Sequence, residues 1–242
     1  MKEPLPLATI HEAVLEFLRN RNDAVLFGAQ AVNAYVDEPR MTQDVDILST
    51  RAGDLAEELR AHLAKQFTIA VRIREVASGR GFRIFQLREP KNRRLVDIRQ
   101  IDNLPPNQLI AEVRVPTPQE LIAQKVISMT VRSAQPKGDT DRRDLKLLLL
   151  SYPQLKVESG AVKDRLIAAG ADTSAIEEWA RLVTTEIESG DDEDGFYESR
   201  ENLGLHRDRA ARQPIISLLS NDSETRSRST RSGSTATFFN SR

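Results

Sequence analysis

Between residues 7 and 21, apolar side chains fall at Ile10, Val14, Leu15, Phe17 and Leu18, close to the helical period, and Thr9 stands where an N-cap would. The next stretch, VLFGAQAVNAYVDEPRMTQDVDIL from Val25 to Leu48, predicts a buried strand, a turn at Gly28 and a short helix over 29–36. A loop bearing Arg40 and Thr42 and a second strand complete it. Leu55, Leu59 and Leu63 return the helical spacing over 51–66, and residues 67–75 then alternate as a strand does. Ser78-Gly79-Arg80-Gly81 is a hairpin signal, after which Phe82, Ile84 and Phe85 continue in the returning strand. A further strand over 94–101 places Asp97 between Val96 and Ile98.

Beyond that strand the pattern turns helical. Leu104-Pro105-Pro106 and Val115-Pro116-Thr117-Pro118 bracket a connection, with Pro118 in the first turn of a helix that carries Leu121, Ile122, Lys125, Val126 and Met129. A loop over 134–140 leads to a second helix, opened by Asp141-Arg142-Arg143-Asp144 and ending in the run Leu147 to Leu150. Two more helices are expected over 162–169 and 174–188, with Gly170 as the C-cap between them. From Ser189 onward the chain is first acidic and then rich in Ser, Thr and Arg, too poor in apolar residues to offset its ordering entropy. The expected architecture is α+β, divided into a sheet-containing part over 1–115, a helical part over 116–188 and a disordered tail over 189–242.

With 242 residues the chain can hold one large or two small domains. Its 35 Lys and Arg balance 36 Asp and Glu, so any nucleic-acid contact must be local rather than the work of an overall basic field. The absence of cysteine removes disulfides, thiolate zinc sites and cysteine nucleophiles. The opening MKEPLPLATIHE has no apolar core of signal-peptide length, and no stretch approaches the ~18 apolar residues that span a bilayer, so a soluble cytoplasmic protein is expected. His11, His62 and His206 are too scattered for a metal site, and no Ser/His/Asp arrangement is visible. Residues 190–201 nearly match a calcium loop, but Gly190 stands where the first carboxylate is needed, which favours a plain acidic linker.

The candidate chemistry lies in the strand that carries Asp44 and Asp46. Side chains alternate along a strand, so these two acids share one face while Val45 and Ile47 point to the core. Adjacent acids repel; the pair is tolerable on an exposed edge, or useful where a divalent cation sits between the oxygens. Gly28 lets the backbone turn closely before the short helix, whose free N–H groups can receive phosphate. Asp97 is either a polar residue on an exposed strand face or a third carboxylate for the same cation. Lys125 either covers core surface with its stem or pairs with phosphate. Asp141 and Asp144 are helix acids that can meet it, Asp144 the better placed.

Gly28-Ala29 heading a helix, followed by Asp44-Val45-Asp46 on the next strand, resembles the nucleotidyltransferases of the DNA polymerase beta superfamily. Their signature is Gly-Ser or Gly-Gly and then D-x-D. Within that superfamily the likeness is to the bacterial group related to the abortive-infection (type IV) toxins. The order PxxLIAxK, loop, DRRDLxxLL also resembles the C-terminal helical part of these enzymes, in which a helix lysine and an acid of the next helix face the site. The resemblance implies an N-terminal mixed β-sheet nucleotidyltransferase core with flanking helices and a helical C-terminal part. It implies Asp44, Asp46 and Asp97 as ligands of Mg2+, with Mn2+ as a substitute, and Lys125 and Asp144 as further catalytic residues. Gly28, Ala29, Gln30, Arg40, Thr42 and Lys125 would bind the NTP.

The acceptor implied is a hydroxyl of RNA, such as a tRNA end, or of a protein, and a cognate antitoxin would be a separate chain. The sequence departs from the pattern at Ala29, where many relatives have Ser or Gly; phosphate contact there passes to backbone N–H groups or to Gln30. That departure is also what an alternative reading rests on, a non-catalytic nucleotide- or partner-binding protein on the same scaffold.

Overall fold

The computed structural model describes residues 6–187, so the tail predicted over 189–242, the calcium-like segment and His206 lie outside the described residues. Strand β1 (Ala24–Phe27) and strand β2 (Val45–Ser49) pair antiparallel across the helix α2 (Gly28–Asn33) that separates them in sequence. Strands β3 (Val71–Val76) and β4 (Gly81–Gln86) form the hairpin expected around Ser78-Gly79, and β5 (Arg93–Gln100) pairs antiparallel with β4. β5 also lies parallel to β2, which makes the five-stranded sheet mixed, in the order β1-β2-β5-β4-β3.

One face of this sheet is the core face. Val45, Ile47, Ile84, Val96 and Ile98 are fully buried there against helix α3 (Ala52–Phe67), whose Leu55, Leu59 and Leu63 point inward as their spacing predicts. Helix α1 (Leu7–Leu18) packs beside α3. The helical part comprises α4 (Pro118–Val131), α5 (Pro136–Ser151), α6 (Ala161–Ala168) and α7 (Thr173–Thr184). Its Leu121, Ile122, Leu145, Leu148 and Trp179 join the same buried cluster as the sheet residues.

Four local expectations are corrected. Helix α1 already starts at Leu7, with Pro6 at the cap position, so Thr9 is inside the helix and does not cap it. Helix α3 runs on through Phe67 to a left-handed Thr68, and the next strand starts only at Val71. The connection read between residues 104 and 118 contains a hairpin, β6 (Asn107–Ile110) and β7 (Val113–Pro116), turned by Ala111 and Glu112 at φ of 47° and 66°. Helix α5 starts at Pro136 rather than at Asp141: a proline fits the first helical position, where its missing N–H is not needed. Gly138 inside that first turn is a packing requirement, since a Cβ there would stand 2.2 Å from the Arg132 carbonyl oxygen. The close approach locks the α4–α5 hairpin.

Candidate active site

The face of the sheet opposite α3 is polar around β2 and β5. Asp46 and Asp97 are direct partners across these parallel strands, so both carboxylates leave the same face. Asp44 stands one residue before β2, on that face also, with Val45 and Ile47 buried between and beyond the acids as their alternation predicts. Gly28 begins α2 at a φ of +64°, in the left-handed region that favours glycine. A Cβ at that position would lie 2.3 Å from Asp46 Oδ2, so the absence of a side chain is what lets the carboxylate lie against the turn.

The loop between α2 and β2 is clamped from α2. Asn33 donates through Nδ2 to the Arg40 carbonyl oxygen at 2.8 Å and accepts from the Arg40 backbone N–H at 3.1 Å. Gln30 Nε2 donates to Thr42 Oγ1 at 3.2 Å, and Thr42 Oγ1 donates to the Asp44 carbonyl oxygen at 3.0 Å. Gln30 also lies 3.3 Å from His11 Nδ1. Burial pulls the His11 imidazole below its ordinary pKa, against the pull of nearby Asp44. Sequence reasoning set His11 aside with the other histidines and missed Asn33 altogether, because only the fold brings these residues to the loop.

Arg40 reaches from the clamped loop to α5, where its guanidinium holds Asp144 in a fork, Nε to Oδ1 at 2.8 Å and Nη2 to Oδ2 at 3.1 Å. Lys125 on α4 donates to Asp144 Oδ2 at 2.6 Å and to Asp141 Oδ1 at 2.8 Å, and Arg132 holds the other oxygen of Asp141 at 3.0 Å. Both candidate acids therefore meet Lys125, where Asp144 alone was preferred. Asp144 is 1% exposed and Lys125 8%. Burial opposes ionisation of Asp144, yet Arg40 and Lys125 outweigh it and hold the carboxyl below its ordinary pKa.

A cavity of about 500 Å³ lies between these two sides. Phe27, Asp46 and Arg99 line it from the sheet, with Gly28 and Ala29 from the start of α2 and Asp44 just before β2. Lys125, Arg132, Lys137 and Asp141 line it from α4 and α5, and Arg40 and Thr42 from the loop. Met41, 92% exposed, stands at its mouth. Of the residues singled out in the sequence, Gln30, Asp97 and Asp144 do not line the cavity: Gln30 supports Thr42, Asp144 anchors Lys125 and Arg40, and Asp97 bonds Arg83 Nε at 3.2 Å. Arg99 and Lys137 were missed. Their charges reach Asp46, but no local motif marks them.

Burial first, and then the charges of Asp44 and Asp97, raise the Asp46 carboxyl above its ordinary pKa, with Arg99 and Lys137 acting in the opposite sense. A cation at the pair would relieve that strain, and two hard carboxylates suit a divalent ion. Among the described residues no three Asp, Glu or His side chains gather closely enough to hold a metal by themselves. Arg94 takes Asp44 at 2.6 Å and Arg83 takes Asp97. Mg2+ asks less of a protein, since it binds through one or two carboxylates and completes its shell with waters and substrate phosphates. On the chemistry of its donors, the Asp44–Asp46 pair fits such an ion.

A family model described as nucleotidyl transferase AbiEii toxin, type IV TA system, matches residues 12–149. No curated protein matches the chain significantly. Among solved structures, the Megavirus polyadenylate synthase is similar with a TM-score of 0.52 and 15% identity over 61% of this chain and 32% of that one. The chain thus spans about a third of the length of that protein. An antigenic nucleotidyltransferase-like protein from Paracoccidioides brasiliensis has a TM-score of 0.44 and 18% identity over 76% of this chain and 94% of that one. JHP933 from Helicobacter pylori has 0.46 and 16% over 73% and 86%. The viral structure supports the fold, and the family match runs from α1 through α5, past every element that lines the cavity, over more than half of the chain. The chain belongs to the AbiEii nucleotidyltransferase family of type IV toxin–antitoxin systems.

Proposed function

We propose that this enzyme moves a nucleoside monophosphate from an NTP to a hydroxyl of RNA, such as a tRNA end, or of a protein, with Mg2+ held by Asp44 and Asp46. One observation carries this reading: the two carboxylates open into the same cavity as Arg40, Arg99, Lys125, Arg132 and Lys137. The cavity has the volume of a small-molecule site, and it sets metal ligands on the sheet side against phosphate-binding cations on the helix side.

When bound, the ion neutralises charge that builds on the transferring phosphoryl group. The bare Gly28 backbone lets the Asp46 carboxylate lie against the turn, and Ala29, without a hydroxyl, offers a phosphate oxygen only its backbone N–H. Lys125, fixed by Asp141 and Asp144, and Arg40, fixed by Asp144, face the departing pyrophosphate. The acceptor oxygen attacks the α-phosphorus in line, the bond to the β-phosphate oxygen breaks, and the acceptor proton passes to Asp97. What supports Asp97 in this role is its register opposite Asp46 on β5, which sets both carboxylates on one sheet face; Asp97 stands behind the cavity lining and is held there by Arg83. Gln30 and Thr42 act by holding the Asp44 loop. A cognate antitoxin, on a separate chain, would silence the enzyme in the cytoplasm, where NTPs are abundant.

The test is to incubate the protein with each NTP labelled at the α-phosphate, Mg2+ or Mn2+, and total cellular RNA. Label is expected on RNA or on protein with one NTP, and is lost in Asp46→Ala with an unchanged circular-dichroism spectrum. Absence of label with all four NTPs, together with nucleotide binding that ignores metal, would replace this reading with a non-catalytic binding scaffold.

A further inference from the structure

The polar face of the sheet does not end at the acids. Asp46, Asp97, Arg83 and Arg74 form one cross-strand row through β2, β5, β4 and β3, each directly opposite the next, so their side chains share a face. Three strand spacings separate Asp46 from Arg74, roughly 14 Å. A second row on the same face is Arg94, Phe85 and Arg72. Arg94 reaches Asp44 from it, which confirms the shared face. Arg99, two residues beyond Asp97, stands over the Phe27 ring at 5.7 Å and lines the cavity. The acid of β3, Glu75, registers with Phe82 and so belongs to the opposite face, the one beneath α3.

Five arginines thus spread outward from the carboxylates with no acid of β3 or β4 among them. Arg72 and Arg74 are exposed, and Arg83 and Arg94 keep 39% of their side chains exposed while each holds a carboxylate through Nε. Phe85 is the odd member. Phe82 and Ile73, of opposite parity, pack on the hydrophobic core, whereas Phe85 is not among the residues that do so. It is a half-buried residue with arginines, Arg94 and Arg72, at the cross-strand positions on both sides. Arginines alone suit any polyanion. Arginines with an interleaved aromatic suit an unpaired nucleic-acid strand, whose phosphates pair with guanidinium and whose bases stack on the ring.

We infer that this arginine and phenylalanine face of β3, β4 and β5 is the docking track for an unpaired RNA strand, whose hydroxyl it delivers to Asp46 and Asp97. The inference rests on the transfer reading for its purpose but not for its measurement. The row geometry sets the order of contact: bases and phosphates near Arg72, Phe85 and Arg74 lie away from the reacting end, and the end itself lies at β5 and β2.

Binding of a labelled single-stranded RNA of mixed sequence to the full chain, by fluorescence anisotropy without NTP or metal, tests it. The doubly reversed Arg72→Glu/Arg74→Glu variant is expected to bind about tenfold or more weakly, with the slope of log affinity against log salt flattened by about 1.4. Phe85→Ala is expected to lose about tenfold with the slope unchanged, because stacking releases no counterions. Thermal melting of each variant controls for folding, and all three positions face away from the core. Equal affinity in the reversed variant overturns the inference. So does displacement of the RNA by polyglutamate at equal charge concentration, which would assign the face to an acidic protein surface. Labelling from NTP is scored separately: label that does not depend on these arginines removes the track and keeps transfer, whereas RNA bound here without any label keeps the track and removes transfer.

Discussion

Gly28 and Asp46 occupy each other's space: a Cβ on residue 28 would come within 2.3 Å of Asp46 Oδ2, and the glycine φ is +64°. Two costs therefore meet in Gly28→Ala. The left-handed backbone is worth about 1–2 kcal/mol against any L side chain, and the clash displaces the carboxylate. The expected outcome is a lower melting temperature and a loss of nucleotidyl transfer of about a hundredfold or more, read by thermal denaturation and by label incorporation. Retained activity would mean that the position of Asp46 is not what the turn serves.

Asp46 itself costs the fold stability. Its carboxyl is raised above the ordinary range by burial and by Asp44, so in the folded chain ionisation is harder than in the unfolded one. The unfolded state gives up its proton first as pH rises, stability falls through that window, and the full cost is present at neutral pH. Asp46→Asn is expected to remove the charge and raise the melting temperature in metal-free buffer, by about 2–4 °C for each kcal/mol recovered, while abolishing transfer. Added Mg2+ should raise the melting temperature of the parent and leave the variant unmoved. A variant that melts lower than the parent would show that the acid stabilises the fold.

Asp144 behaves in the opposite way. The guanidinium of Arg40 and the ammonium of Lys125 hold its carboxyl below the ordinary range despite burial. Its contribution is therefore fully present above a pH of about 4, where the unfolded carboxyl is ionised, and is lost as pH falls through the lower folded value. Urea denaturation at a series of pH values from about 6 down to about 2 should show this acid limb, and Asp144→Asn should flatten it. The same substitution leaves Lys125 and Arg40 short of a buried partner and is expected to cost about 3 kcal/mol at neutral pH.

Period-two and helical spacing made much of this molecule legible. The Asp44–Asp46 pair could be read because strand alternation alone puts both on one face, and α3 because its leucines recur every turn. The β6–β7 hairpin was not, since Ala111 and Glu112 adopt the positive φ values that such a tight turn more often gives to Asn-Gly. The strand order was not legible either. Asp97 faces Asp46 only because β5 inserts between β2 and β4, and the same insertion hands Asp44 and Asp97 to Arg94 and Arg83. A resemblance could propose three converging acids; it could not show that arginines on β4 and β5 hold two of them. Likewise, Asn33 clamps the Arg40 loop through a contact with no local signature.

Gly138 separates helix propensity from packing. Alanine is favoured over glycine inside a helix by about 1 kcal/mol, so Gly138→Ala on α5 would stabilise an isolated helix. In the fold, however, the added Cβ would meet the Arg132 carbonyl oxygen at 2.2 Å, and backbone cannot swing aside as a side chain does. Steric cost of about 1–3 kcal/mol outweighs the propensity gain. To relieve it, the start of α5 must move away from the end of α4, which stretches the bonds of Lys125 and Arg132 to Asp141. Gly138→Ala is thus expected to lower the melting temperature and to weaken transfer, whereas Arg143→Ala, exposed on the same helix, should do neither. Measured together by thermal denaturation and label incorporation, a Gly138→Ala protein that melts higher with full activity would show that the helix hairpin does not set the height of Lys125 over the cavity.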